Sequence, residues 1–215
     1  MADVLIIDGH PDASSLCAAL AQSHAEGLRA GGADVQLLAL RDLRFDPVLH
    51  KGFNARQPLE PDLQRAQALI AGARRLVLVA PVWWGSMPAL LKGFFDRVLE
   101  RGWAFRYLPN GRPEGLLRGR SARVIMTTDS PGFYLRFIQG DPTARSLVRS
   151  TLKFCGIRPV DMTRVGPVHN ASAEQRQRWL ALVKEQGQAD ARRLPARAAV
   201  RTEPGRPSSE AARAP

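Results

Sequence analysis

Only two cysteines occur in 215 residues. Cys17 and Cys155 stand far apart, outside any Cys-x-x-Cys pair or histidine cluster of metal-ligand spacing, so two reduced thiols and no structural metal are expected. Long apolar runs are also missing. None approaches the roughly 20 residues that cross a bilayer, so membrane insertion is not expected. Met1-Ala2-Asp3 leads into Val4-Leu5-Ile6-Ile7 without a basic flank or cleavage site, which predicts no signal peptide and a cytoplasmic protein. Neither Gly-x-Gly-x-x-Gly nor Gly-x-x-x-x-Gly-Lys-Ser/Thr is present, which argues against a Rossmann dinucleotide site and a P-loop. The chain has no internal repeats and offers no nucleophile-base pair of its own.

What is present is a globular composition, 45% hydrophobic, of a length that suits one domain. The formal charge is +11. Beyond residue 190 six arginines (192, 193, 197, 201, 206, 213) face Glu203 and Glu210, so the tail carries +4 and the body +7. The body's excess is spread rather than blocked into runs, which reads as weak attraction for anions such as phosphorylated cofactors, and no nucleic-acid partner is expected. From Leu194 onward Pro, Ala, Arg, Ser and Gly replace any periodic pattern. This divides the chain into a folded domain over 1–193 and a disordered tail over 194–215.

Apolar runs and helical spacings alternate along the domain. Strands are predicted at Asp3 to Asp8, Asp34 to Leu40, Arg75 to Ala80, Ser121 to Thr128 and Gly156 to Val165. Helices are predicted from Ser14 or Ser15 to Gly31-Gly32, Leu59 to Ala71, Pro88 to Glu100, Pro142 to Phe154 and Ser172 to Arg192, the last with Ser172 and Gln175 spaced as a capping box. Continuous apolar strands imply a sheet covered on both faces, hence a five-stranded parallel doubly wound α/β sheet in the order 2-1-3-4-5.

Ligands of such sheets bind beyond the carboxyl ends of the strands, where strand order reverses. Three segments meet there: Gly9 to Cys17, Pro81 to Gly85, and Thr127 to Ser130. In the first, Ser14 and Ser15 precede a helix whose amides and dipole favour an anion, though either serine can serve merely as a helix cap. His10 can add charge, or act only as a hydrogen-bonding loop residue. In the second, Trp83-Trp84-Gly85 offers amides and an aromatic wall to a flat heterocycle, against the alternative that the tryptophans pack on the sheet or at a dimer contact. Together these loops suit a flat ligand with a phosphate arm.

The succession of Gly-His-Pro with Ser-Ser-Leu soon after, PVWWGSMPALLKGFFDRVL, MTTDSPGFY and FCGI resembles the flavodoxin-like NAD(P)H:quinone oxidoreductase family over roughly residues 3 to 190. Pro81 to Val98 is the most specific part. The resemblance implies a homodimer with one flavin per site, FAD with FMN as the alternative, and NADPH or NADH as electron donor. It implies hydride transfer through flavin N5 to a small-molecule acceptor, a quinone or similar electrophile. It assigns the phosphate end to His10, Ser15, Leu16 and Cys17, with Ser14 adjoining, and the ring to Pro81, Val82, Trp83, Trp84, Gly85, Thr127 and Thr128. The chain departs from the family at Asp129-Ser130-Pro131, which replaces a pair of glycines and brings a carboxylate near the ring. It departs again at Gln139, which stands for a histidine that partners Tyr134 where charge develops on the reduced ring. A glutamine donates a hydrogen bond but carries no proton, so a regulatory flavin-bound subunit of a potassium-efflux system, with little turnover, is the alternative function. FAD is preferred because the chain keeps a sizeable segment from Asp42 to Glu60. Gly102 to Tyr107 is an aromatic run that faces either a partner subunit or the sheet edge.

Removing residues 195–215 is expected to leave flavin content and turnover unchanged. Parallel assay of full-length and shortened protein checks this, and loss of either property would make the tail part of the fold or site.

Overall fold

The computed structural model describes residues 2–52 and 55–194, for 135 and 136 the backbone alone. The predicted tail beyond Leu194 therefore lies outside the described residues. In chain order the elements are β1 (Val4–Asp8), α1 (Leu16–Ala30), β2 (Val35–Ala39), α2 (Pro61–Gly72), β3 (Arg75–Pro81), α3 (Ala89–Val98), β4 (Phe105–Tyr107), β5 (Pro113–Gly115) and β6 (Ser121–Thr127). They are followed by α4 (Pro142–Ala144), β7 (Val160–Val165) and α5 (Ala173–Ala191). Five strands form a parallel sheet in the order β2-β1-β3-β6-β7, which is 2-1-3-4-5 once the separate β4-β5 hairpin is set aside. No helix among the described residues is long and apolar enough to cross a membrane.

The strands are apolar throughout because alternate side chains enter two cores. Val4 and Ile6 of β1, Val77 and Val79 of β3 and Ile125 of β6 pack with α1 and α5. Leu5 and Ile7, Leu76 and Leu78, and Val124 and Met126 pack with α2 and α3 on the other face. Both faces of every central strand are thus dry, and period-2 alternation of polarity has no place.

Helices α1 and α5 touch through their backbones. A methyl group at Gly27 would lie 2.0 Å from the Lys184 carbonyl oxygen, and one at Gly187 would lie 2.5 Å from that of His24. The same pairing buries a charge cluster where β3 and β6 begin. Asp190 of α5 lies 2.6 and 2.8 Å from the Arg123 guanidinium and 3.0 Å from that of Arg75, with His24 Nε2 at 3.5 Å. Burial alone would raise the Asp190 pKa, but hydrogen bonds from Arg123 and His24 and the charges of Arg75 and Arg123 outweigh it and depress the carboxyl.

Several predicted boundaries move for local reasons. Ser172 does cap α5, accepting from the Gln175 amide at 3.2 Å, but Gln175 Oε1 accepts from Arg178 instead of closing the box. The last strand begins at Val160, not Gly156. Gly156 turns at φ +95° and Pro159 has no amide to give the ladder. The helix expected from Pro142 to Phe154 is α-helical only to Ala144 and widens to a π-helix over Arg145–Leu152, where the Thr151 hydroxyl donates to the Ser146 carbonyl. The run from Gly102 to Tyr107 divides: Ala104 is buried, Phe105 stacks edgewise on Phe154 at 5.0 Å, and Tyr107 is half exposed in the hairpin.

Asp190→Asn leaves two buried guanidinium groups short of a counter-charge and is expected to cost about 3–5 kcal/mol at neutral pH. Because the folded-state pKa of Asp190 is depressed, its contribution is complete above the usual carboxylate pKa of roughly 4 and is lost as pH falls below that. Urea unfolding should therefore show the gap between wild type and variant narrowing below about pH 4.

Candidate functional site

The loops after β1, β3 and β6 meet at one end of the sheet. The His10 and Trp83 rings contact edge to face at 5.5 Å. Cys17 Sγ lies 3.3 Å from Thr127 Oγ1, and the Val82 amide donates to the Thr127 carbonyl at 2.8 Å. Each pair of loops is thereby joined beyond the carboxyl ends of β1 and β3, where a sheet of this strand order leaves its crevice.

In the first loop Ser15 is the cap of α1, its hydroxyl oxygen accepting from the Ala18 amide at 3.2 Å. A hydroxyl that accepts can still donate. The amides of Leu16 and Cys17 have no acceptor within the helix, so they and the Ser15 hydroxyl form a donor set suited to an anion. Ser14 is placed differently. Its amide and hydroxyl donate to Asp12 Oδ1 at 2.8 and 2.9 Å. His10 accepts from the Asp12 amide at Nδ1, 2.9 Å away, so the N–H the ring can offer the site is on Nε2.

Two residues that the sequence did not mark as site candidates hold this loop. Asp8, fully buried at the end of β1, accepts from the His10 amide at 3.1 Å and from Arg41 Nη1 at 2.5 Å; the same Arg41 atom lies 3.3 Å from the His10 carbonyl oxygen. An aspartate ending an otherwise apolar strand was the available signal, since a buried carboxylate requires a partner.

The second loop is a two-residue turn. Trp83 and Ser86 exchange both backbone hydrogen bonds, at 2.9 and 2.8 Å, while Trp84 and Gly85 have φ of +53° and +69°. Two positive φ values make this a type I′ turn, a conformation that suits Gly85 and strains Trp84. Trp84 is fully exposed and Trp83 is 43% exposed, so neither is a core tryptophan. Pro81 is buried as the last residue of β3, and Val82 packs partly against the core below. The amides of Trp84 and Gly85, at the turn tip, have no acceptor within the turn.

The third loop is divided in direction. Thr127 and Thr128 are buried, and Thr128 Oγ1 accepts from the Ser130 amide at 3.1 Å. Asp129 does not turn its carboxylate to the crevice: Oδ1 accepts from the Val168 and His169 amides at 3.1 and 2.6 Å, tying the loop to the one after β7. Tyr134 and Gln139 bound one π-helical turn, with the Gln139 amide donating to the Tyr134 carbonyl at 3.0 Å and both residues exposed. Their segment lies beside the second loop, since a methyl group at Gly85 would be 3.4 Å from Pro142 Cγ. Asp141 of that segment is held by Arg164 of β7.

Burial pushes the Cys17 thiol up to about 12 despite its hydrogen bond with Thr127. It is no nucleophile at neutral pH.

The family model described as flavodoxin-like fold matches residues 2–186. A Haemophilus influenzae protein named an NAD(P)H oxidoreductase is 30% identical over 190 residues, covering 86% of this chain and 94% of that one. The chain belongs to this flavodoxin-like oxidoreductase family. It is also 32% identical over 164 residues to an FMN-dependent NADH:quinone oxidoreductase of Azotobacter vinelandii, 69% of this chain and 78% of that one. The crystal structure of Smu.1420 from Streptococcus mutans matches with a TM-score of 0.76 and 30% identity, over 86% of this chain and 98% of that one.

Trp84→Gly removes a side chain from a left-handed position without uncovering core, and is expected to raise the unfolding free energy by about 1 kcal/mol. Trp84→Ala keeps the strain and should leave stability unchanged. Urea unfolding of both variants checks this, and destabilisation by either would give the indole a packing role.

Proposed function

We propose that the chain is a flavin-dependent NAD(P)H oxidoreductase acting on quinones or similar electrophilic acceptors, with FMN as its flavin. The observation that carries this reading is the convergence of an anion donor set (Ser15, Leu16, Cys17) with an exposed aromatic turn (Trp83, Trp84) across one crevice. The donor chemistry fits the group: two amides and a hydroxyl for a phosphate, and the amides of Trp84 and Gly85 with the Trp83 ring for a flat heterocycle. When bound, a flavin supplies at N5 the two-electron chemistry between a reduced nicotinamide and a quinone.

The chain's own residues bind and orient. Leu16 and Cys17 hold the phosphate end, while Pro81 to Gly85 and Thr127-Thr128 line the ring, with Ser130 at the rim. His10 adds its Nε2 hydrogen to the donors. Tyr134 and Gln139 offer hydrogen bonds where negative charge develops. Glutamine has no proton to deliver, so protons come from Tyr134 or water.

FMN is preferred to FAD on two grounds. The segment from Asp42 to Glu60, which motivated FAD, is bound to the chain itself: buried Arg97 of α3 donates to the Asp46 and Pro58 carbonyls and to Glu60. The Azotobacter relative is named for FMN. An open surface depression formed by Gly166, Pro167, Gln175, Arg178 and Trp179 lies beside the loop that Asp129 holds, and FAD is kept as a second reading. The relatives above bear oxidoreductase names, which favours turnover over the regulatory alternative. Exposed Phe133, Tyr134, Phe137 and Ile138 beside Trp83 and Trp84 favour a second copy of the chain covering the crevice.

Protein incubated with FMN, freed of excess and titrated anaerobically with NADPH or NADH, is expected to lose its visible flavin absorbance and regain it on addition of a quinone. Failure to bind either FMN or FAD would overturn the reading. Binding without reduction by either nicotinamide would move the function to a regulatory role.

A further inference from the structure

Both donors of Ser14 already serve an anion, and it belongs to the chain. Asp12 Oδ1 takes the Ser14 amide and hydroxyl, Oδ2 lies 2.8 Å from the same hydroxyl, and the Asp12 amide is fixed on His10. These bonds to Ser14 hold the Asp12 carboxyl below the usual carboxylate range. Asp8 and Arg41 pair beneath the loop, and Asp12 makes no ion pair of its own among the described residues, although the neighbouring His10 and Arg41 add to the pull of Ser14 on its carboxyl. That charge is three residues before Ser15 and four before Leu16, the start of the helix whose free amides face the crevice. A phosphate bound there meets a like charge in the same loop, and finds both donors of Ser14 taken.

We propose that Asp12 is a tethered internal anion that competes with the cofactor's phosphate for the first loop and sets a weak, exchangeable hold on phosphorylated flavins. The inference rests on the flavin reading of the crevice. It makes affinity a difference between two anions at one loop: when the phosphate arrives, Ser14 is released to it only if the Asp12 carboxylate swings out to solvent, for which its exposed position leaves room. The ring contributes separately through the second and third loops. A flavin without phosphate should therefore be indifferent to Asp12.

The test compares FMN with riboflavin. Both are titrated into wild-type protein, Asp12→Asn and Asp12→Ser, with flavin fluorescence reporting binding at one fixed salt concentration. Asparagine and serine each retain an acceptor for the Ser14 amide, so the turn has a substitute for the bond it loses. The expected result is FMN affinity raised roughly 3- to 10-fold in both variants, with riboflavin affinity unchanged. FMN affinity that stays the same or falls, while riboflavin holds, would overturn the proposal and make Asp12 an organiser of the phosphate loop. Equal changes for both flavins would also overturn it, because the effect would not be one on phosphate. Wild-type protein that binds neither FMN nor riboflavin would defeat the flavin reading itself, a result distinct from wild-type binding without a gain in the variants.

Discussion

The chain starts in the interior of its sheet and adds strands outward in both directions, and the crevice follows from that. After β1 it places β2 on one side, then returns to place β3 on the other. Helix α1 must lie on one face and α2 and α3 on the opposite face to keep the crossovers right-handed. Two connections that leave adjacent strands for opposite faces cannot fill the space above those strands. The site is thus a topological remainder, lined by whatever the loops after β1, β3 and β6 present. Family relatives share this fold.

Polar chemistry is divided between the two ends of the sheet. At the amino ends of β3 and β6, Asp190, Arg123 and Arg75 form a buried cluster in which charges satisfy one another. At the carboxyl ends the groups are smaller and only partly satisfied: free amides at the start of α1, free amides at a turn tip, a hydroxyl with a proton to give. Mutual satisfaction holds helix α5 to the sheet, whereas incomplete satisfaction leaves a site able to accept something from outside. Ion pairs occur there too: Asp8 with Arg41 stiffens the first loop from below, and Arg164 holds Asp141.

Much of the fold was legible because the signals were long. Five apolar strands and their intervening helices gave the order of the sheet, and the location of the crevice followed from that order. The details that escaped were side-chain decisions among nearby alternatives. Ser14 and Ser15 are equivalent caps by sequence, and only the position of the Asp12 carboxylate separates them. Asp129 reads as a residue of the crevice until the amides of Val168 and His169, some forty positions away, claim it. The β4-β5 hairpin carried a turn signal in Asn110-Gly111, but its strands of three residues are too short for alternation to stand out. The strain at Trp84 has no sequence signature beyond the glycine that follows it.

Both thiols lie in the interior, Cys17 under the first loop and Cys155 behind the hairpin, and burial pushes the thiol of each up to about 12. A thiol in that state is a poor target for peroxide, alkylators or an electrophilic quinone. Cys17 is thereby made inert by the same packing that supports the loop above it. Neither described thiol therefore offers an accessible thiolate to whatever meets the loops at this end of the sheet.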